Sequence, residues 1–264
     1  MKFKLAVIVI ILITLVRVAA THRVFSETSD ENAHVAGGHE WLTSNTYRID
    51  PTHPPLARIF FALPFRDIPP AKSRYENFPH ILFGHNNEYV RNVAHARRGN
   101  LLFLALLLVV ATLWTRKLFG ECAALIALII VASMPPVLAH AGLATTDLPV
   151  AATMLFALYA LDLFLDEPSW RRTILLGVAA GCGLTSKFSF IPFFAIAALV
   201  MVVARRFIPS VSEGPGRLDG APPNRPAPSL TLGMMMMAAI AISLLFVWGI
   251  YKFAWGPMED EYHG

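Results

Sequence analysis

The chain has 264 residues, of which 55% are hydrophobic and 15% charged, with a formal net charge of +4 and a mean hydropathy of +0.54. A soluble domain carries roughly 25% charged residues. Disorder, a collagen-like chain, a disulfide-stapled secreted fold and a water-soluble enzyme therefore all fit poorly, and an integral membrane protein is left.

In chain order, apolar runs long enough to be read as spans fall at 5–20, 100–115, 123–137, 148–165, 173–184, 188–204 and 231–251. The pattern predicts an all-α polytopic bundle of about seven spans. The first run resembles a secretory signal, with Lys2 and Lys4 ahead of it, but Arg17 interrupts its far end and no small-residue cleavage site follows, so it reads as a retained span. The fifth and sixth runs are separated only by Thr185-Ser186-Lys187, and either a re-entrant hairpin or two tilted helices satisfies that spacing. Basic pairs set the orientation: Lys2/Lys4, Arg116/Lys117, Arg171/Arg172 and Arg205/Arg206 all fall on one side only if the N-terminus is cytoplasmic and the C-terminal tail outside. These pairs are a topology signal and do not point to nucleic acid. Cys122 and Cys182 lie within apolar runs and offer neither a disulfide nor a metal cluster.

This topology divides the chain into a transmembrane core over 1–204 with a long outer loop at 21–99, a Pro/Gly-rich cytoplasmic linker at 205–230, and a last span with an outer tail at 231–264. The run Met234–Met237 reads as lipid-facing or packing filler. No internal repeat and no Gly-rich phosphate loop occurs.

The outer loop holds most of the polar residues able to do chemistry. In Glu27-Thr28-Ser29-Asp30-Glu31-Asn32-Ala33-His34, a helix would bring Glu27, Asp30, Glu31 and His34 to one face, with Ser29 or Asp30 as N-cap. A carboxylate there sits in the positive field of the helix end and is placed to deprotonate an acceptor hydroxyl. A solvated acidic helix start explains the same pattern. The order Asp-Glu-x-x-His is not the zinc HExxH pattern, so no metal ligands are assigned; a divalent metal stays open as the one cofactor. In Asp50-Pro51-Thr52-His53-Pro54-Pro55-Leu56-Ala57-Arg58, paired prolines suit the first turn of a helix. The short apolar helix that follows is expected to lie in the membrane interface. His53 at its start and Arg58 one turn inside would favour a phosphate; a turn with a surface His is the bland alternative. Arg97 and Arg98 read as snorkelling anchors. Asp147, ahead of Pro149, reads as an N-cap at the outer mouth of the fourth span. Lys187 lies outside, against the inside bias, and invites a functional reading.

Taken together, Asp30-Glu31-x-x-His34, His53-Pro54-Pro55-Leu56-Ala57, Ala96-Arg97-Arg98, Arg116-Lys117-Leu118-Phe119-Gly120, Thr145-Thr146-Asp147-Leu148-Pro149 and Gly183-Leu184-Thr185-Ser186-Lys187 resemble, in order, the N-terminal part of the protein mannosyltransferase type of polytopic glycosyltransferase (family 39 and its bacterial relatives, GT-C fold). The likeness extends from Met1 to about Ala204. It implies transfer of a sugar from a polyprenyl-phosphate carrier to a lipid, glycan or protein acceptor on the outer face of a plasma (inner) membrane, with inversion. A nucleotide sugar is not the expected donor. The resemblance further implies Asp30 as catalytic base with Glu31 as its accompanying acid, and Asp147 as a second acidic position, with His34 beside it. It gives His53 and Arg98 to the carrier phosphate, and the cationic charge of Arg58 and Lys187 suits the same role. Membrane lipids are the surroundings and nucleic acid is not a partner. Family members usually carry more spans, which leaves open whether the frame continues past Gly264. The alternatives are a transporter or an inactive truncated homologue; a transporter would place ionisable residues at the bilayer midplane on broken, repeated helices, whereas Arg17 is the one charge well inside a run.

Overall fold

The computed structural model describes residues 2–69, 82, 88–207 and 230–253. Among them the regular structure is entirely helical, and no strand occurs. The helices are α1 (Lys2–Thr21), α2 (Ser29–Ser44), α3 (Pro55–Ala62, continued by a 3-10 turn at Leu63–Phe65), α4 (Tyr89–Ser133), α5 (Pro135–Ala141), α6 (Asp147–Asp166), α7 (Trp170–Ser186), α8 (Phe190–Phe207) and α9 (Leu230–Ile250). The expected all-α bundle is found. Most of the expected linker and the outer tail, at 208–229 and 254–264, lie outside the described residues.

Among the described residues, four helices are long and apolar enough to cross a membrane: Lys2–Thr21, Tyr89–Ser133, Asp147–Asp166 and Thr231–Ile250. The difference from about seven has two sources. The runs at 173–184 and 188–204 become α7 and α8, two helices joined by the short turn at Lys187; α7 has 17 residues and the apolar part of α8 is also short. The runs at 100–115 and 123–137 fall in one helical stretch, α4. Its backbone leaves helical geometry at Gly120, where φ is +85° and ψ −178°. Only glycine adopts that conformation without strain. The chain reverses there. An unbroken helix rises 1.5 Å per residue and would put Asn100 about 50 Å from Ser133, farther than the short stretch through α5 can return, yet Asn100 Nδ2 donates to the Leu143 carbonyl at 2.6 Å and to that of His140 at 3.0 Å. The returning arm ends at Ser133, four residues earlier than expected, because Met134 turns extended ahead of Pro135-Pro136.

Two apolar cores hold the bundle. Phe103, Leu104, Leu107 and Leu108 of α4 meet Leu128 of its returning arm, Val35, Phe61 and Leu148. A second cluster joins Leu161 and Phe164 of α6 to Leu176 of α7, Phe190 of α8 and Ala239 of α9. Leu5, Ile8, Leu12, Ile13 and Val16 of α1, and Ile191, Phe193, Ile196 and Leu199 of α8, remain exposed, as residues facing lipid hydrocarbon must.

The basic pairs gather at one end. The Arg116 guanidinium sits 5.0 Å from the centre of the Phe3 ring, beside Lys2 and Lys4. Lys117 and Arg205 both pair with Asp162 and Asp166, with Arg205 Nη1 2.6 Å from Asp166 Oδ1, and Trp114 Nε1 donates to Asp162 at 3.1 Å. Arg172 caps the same end of α6 through the Leu163 carbonyl at 2.8 Å. At the opposite end, α2 and α3 cover the start of α4. The α3 helix buries Leu56, Ala57, Arg58, Phe61 and Ala62 against its neighbours.

Candidate active site

The N-cap of α2 falls one residue before Ser29 and two before Asp30, the caps expected from sequence. Thr28 is the N-cap, and its backbone N–H donates to Glu31 Oε2 at 2.9 Å in a capping box. That box is part of a larger knot. Glu31 Oε1 and Oε2 accept from Arg97 Nε and Nη2, both at 2.8 Å, and Oε1 also accepts from the Ala144 backbone N–H at 2.7 Å. The remaining Arg97 donors reach the carbonyls of His22, Phe25 and Ser26 at 2.8–3.0 Å. Side-chain exposure is 0% for Arg97 and 2% for Glu31. Arg97 is therefore no snorkelling anchor but the nail that holds the α1–α2 connection, α2 and the α5–α6 connection to α4. Burial by itself would raise the Glu31 carboxyl; the Arg97 hydrogen bonds and the two backbone donors outweigh it and keep the group ionised, below its ordinary value.

The expected common face of Glu27, Asp30, Glu31 and His34 divides. Glu31 and His34 are buried, Glu27 is half-buried and Asp30 is exposed. Asp30 stands in the first turn of α2, one helical turn before His34, and among the described residues its carboxylate has no hydrogen-bond or ion-pair partner.

The turn before α3 is stitched from below. Arg58, fully buried, donates through Nη1 to the carbonyls of Asp50 (2.8 Å) and His53 (2.9 Å) and to the Tyr47 hydroxyl (3.0 Å), and its Nη2 lies 3.5 Å from Asp50 Oδ2. The Tyr47 hydroxyl also donates to the His53 carbonyl. Asp50 Oδ2 and His53 Nδ1 are 2.9 Å apart, and Asp50 Oδ1 accepts from the Thr52 N–H at 3.1 Å. Burial pushes the Asp50 carboxyl up, but the Thr52 bonds, Arg58 and His53 together hold it below its usual value. Such an aspartate fixes the orientation of its histidine. Gly38 permits the approach of α3: a Cβ there would lie 2.1 Å from the Arg58 carbonyl oxygen.

His34 meets His53 edge to face, with ring centres 4.9 Å apart. Burial, then the nearby Arg58 charge, lowers the His34 imidazole to about 4, so it is neutral at physiological pH. The charges of Asp50 and Lys187 also act on it, and the His34 ring acts in turn on Asp147 at the start of α6. There Lys187 Nζ is 2.7 Å from Asp147 Oδ1, and His140 Nδ1 is 3.7 Å from Asp147 Oδ2. Thr146, not Asp147, is the N-cap of α6.

Of the residues expected from sequence, His34, His53, Arg58, Asp147 and Lys187 thus assemble, with Asp30 one turn away and Glu31 anchoring the helix from behind. Arg58 acts through the loop it holds, since no part of it is exposed. Arg98 is not part of the group. It is exposed and lines a separate open cleft of about 490 Å³ with Phe60, Leu63, Pro64, His95, Gly99 and Leu102. Asp50 and Tyr47, which carry much of the arrangement, were missed as functional residues. The signal for Asp50 is its position three residues before His53, within reach across a turn.

An all-α bundle of apolar helices with a cluster of polar side chains at the end opposite its basic pairs defines a polytopic membrane protein. The sequence model of the dolichyl-phosphate-mannose-protein mannosyltransferases matches residues 80–212, half of the chain, and the chain belongs to that family. Membership places it among membrane glycosyltransferases that draw on a polyprenyl-phosphate sugar donor. The match begins after the Asp30 and His53 segments. No curated protein and no solved structure matches the chain.

Proposed function

We propose that the chain transfers a sugar from a polyprenyl-phosphate carrier to an acceptor hydroxyl at the outer face of the plasma membrane, with inversion at the anomeric carbon. The observation that carries this reading is the Glu31–Arg97–Ala144 knot, which ties α2 to α4 and to the α5–α6 connection and so supports an unpaired carboxylate, Asp30, one helical turn before His34. In the single displacement, Asp30 takes the proton of the acceptor hydroxyl, the acceptor oxygen bonds to the anomeric carbon, and the carbon–oxygen bond to the carrier phosphate breaks with its electron pair leaving on phosphate. Base and leaving group must be served from opposite sides of the reacting carbon. His53, oriented by Asp50, and Lys187, steered by Asp147, offset the charge that develops on the leaving phosphate. Arg58 and Glu31 act as positioning residues. Arg98, in its apolar-walled cleft, suits the anionic head of an amphiphile and is assigned to the carrier lipid outside the reacting centre. The N-terminus and the basic pairs face the cytoplasm.

Asp30→Asn tests the assignment. The variant is expected to insert and melt like the parent while transfer from a polyprenyl-phosphate sugar falls by 10³-fold or more, given that the base is a principal contributor. Transfer within tenfold of the parent would put the base elsewhere.

A further inference from the structure

Three side chains of the site offer ligand atoms to one point. A ring nitrogen of His34, a ring nitrogen of His53 and a carboxylate oxygen of Asp50 all lie within 4.8 Å of one another. They come from α2 and from the turn before α3, and the Arg58 knot fixes the two elements together. His34 is 4% exposed, and its Nδ1 is sealed from solvent without a hydrogen-bond partner. A buried polar atom left unpaired costs about 1–3 kcal/mol.

We propose that His34, Asp50 and His53 bind one divalent transition-metal ion of the zinc class, with its fourth position filled by an oxygen of the donor phosphate. Two neutral imidazoles and one carboxylate with an open position form a ligand set that suits tetrahedral zinc, and two nitrogen donors select against calcium and magnesium. Metal–ligand bonds of about 2.0–2.2 Å put ligand atoms about 3.5 Å apart, so the widest separation, at most 4.8 Å, closes by about 1 Å around the ion. His53 coordinates through its unprotonated nitrogen, which moves the proton it shares with Asp50 to the other ring nitrogen.

The groups facing the cluster set its selectivity. Arg58 Nη2 lies 3.5 Å from Asp50 Oδ2, and the Lys187 charge reaches His34, partly offset by its partner Asp147. These cations oppose a bare metal ion and favour an ion that arrives with an anionic oxygen. Metal and phosphate ester should therefore strengthen each other's binding by the same factor. This deepens the transferase reading and rests on it for the fourth ligand alone.

The test uses the full chain in detergent, stripped with a chelator and titrated with Co²⁺, whose visible absorption reports tetrahedral coordination. One saturable ion per chain is expected, bound tenfold or more tightly when a short-chain prenyl phosphate is present. His53→Gln and Asp50→Asn should each weaken the ion by tenfold or more, whereas Cys122→Ser, which removes an exposed thiol beside the basic end, should not. His34→Gln is read only where its melting curve shows a folded chain; His53, a third exposed, decides otherwise. No saturable site, or equal affinity in the parent, His53→Gln and Asp50→Asn, overturns the proposal. Transfer is assayed separately. Undiminished transfer by a chain shown to be free of metal removes the ion and leaves the transferase, while a bound ion in a chain that transfers no sugar keeps the metal site and removes the transferase.

Discussion

Two adjacent arginines show how much one helical position decides. Arg97 and Arg98 read alike in the sequence, but neighbouring residues point about 100° apart on a helix, so one is sealed against Glu31 and the other faces an open cleft. No sequence pattern names Glu31 as the partner of Arg97, 66 residues away; only the packing of α2 on α4 does. Removing one member of a buried pair strands the other charge, which costs about 3–5 kcal/mol. Arg97→Ala is therefore expected to lower unfolding stability by that amount in a denaturant melt, and a loss under about 1 kcal/mol would contradict the role given to it. Proton linkage gives a second prediction at this scale. Burial lowers both His22 and His34 to about 4 from an ordinary 6.5. Between those values the unfolded chain binds more protons than the folded one, so stability is full above pH 6.5 and is lost as pH falls towards 4. A melting temperature that stays flat or rises over that window would count against the buried, neutral histidines.

Elements were legible where one local signal sufficed. Apolar runs located the helices, and Pro54-Pro55 marked the start of α3. The reversal at Gly120 also had a signal, a glycine just after the basic pair Arg116/Lys117, and its cause is visible in the φ of +85°. What could not be read was how α3 lies. Its apolar composition does not say which face packs on the protein, and that is set by the close approach at Gly38, which composition does not report. Gly38→Ala places a Cβ 2.1 Å from the Arg58 carbonyl oxygen, a backbone atom that cannot swing aside. The α3 helix must then shift and carry His53 with it. The expected outcome is a lowered melting temperature together with a loss of sugar transfer of at least tenfold; a variant with parental stability and transfer would show that the α2–α3 approach is not what positions the site.

At the scale of the whole molecule, the two ends of the bundle differ in kind. One end joins Lys117, Asp162, Asp166 and Arg205 across α4, α6 and α8, and the other collects His34, Asp50, His53, Asp147 and Lys187. The gathering of basic pairs was legible because membrane topology is written in charge. The site was legible as a set of residues but not as a geometry, since His34 and Lys187 are drawn towards each other by the packing of α3, which holds α2, on α7 and by no spacing in the chain. The central claim is that this polar end cleaves sugar from lipid phosphate. Proteoliposomes containing the chain and an acceptor-bearing membrane extract can be given the same radiolabelled sugar either on a polyprenyl phosphate or on a nucleotide. The account predicts that label reaches the acceptor from the lipid-linked donor alone and that Asp30→Asn abolishes it; direct transfer from the nucleotide sugar, or unchanged transfer by Asp30→Asn, would contradict it.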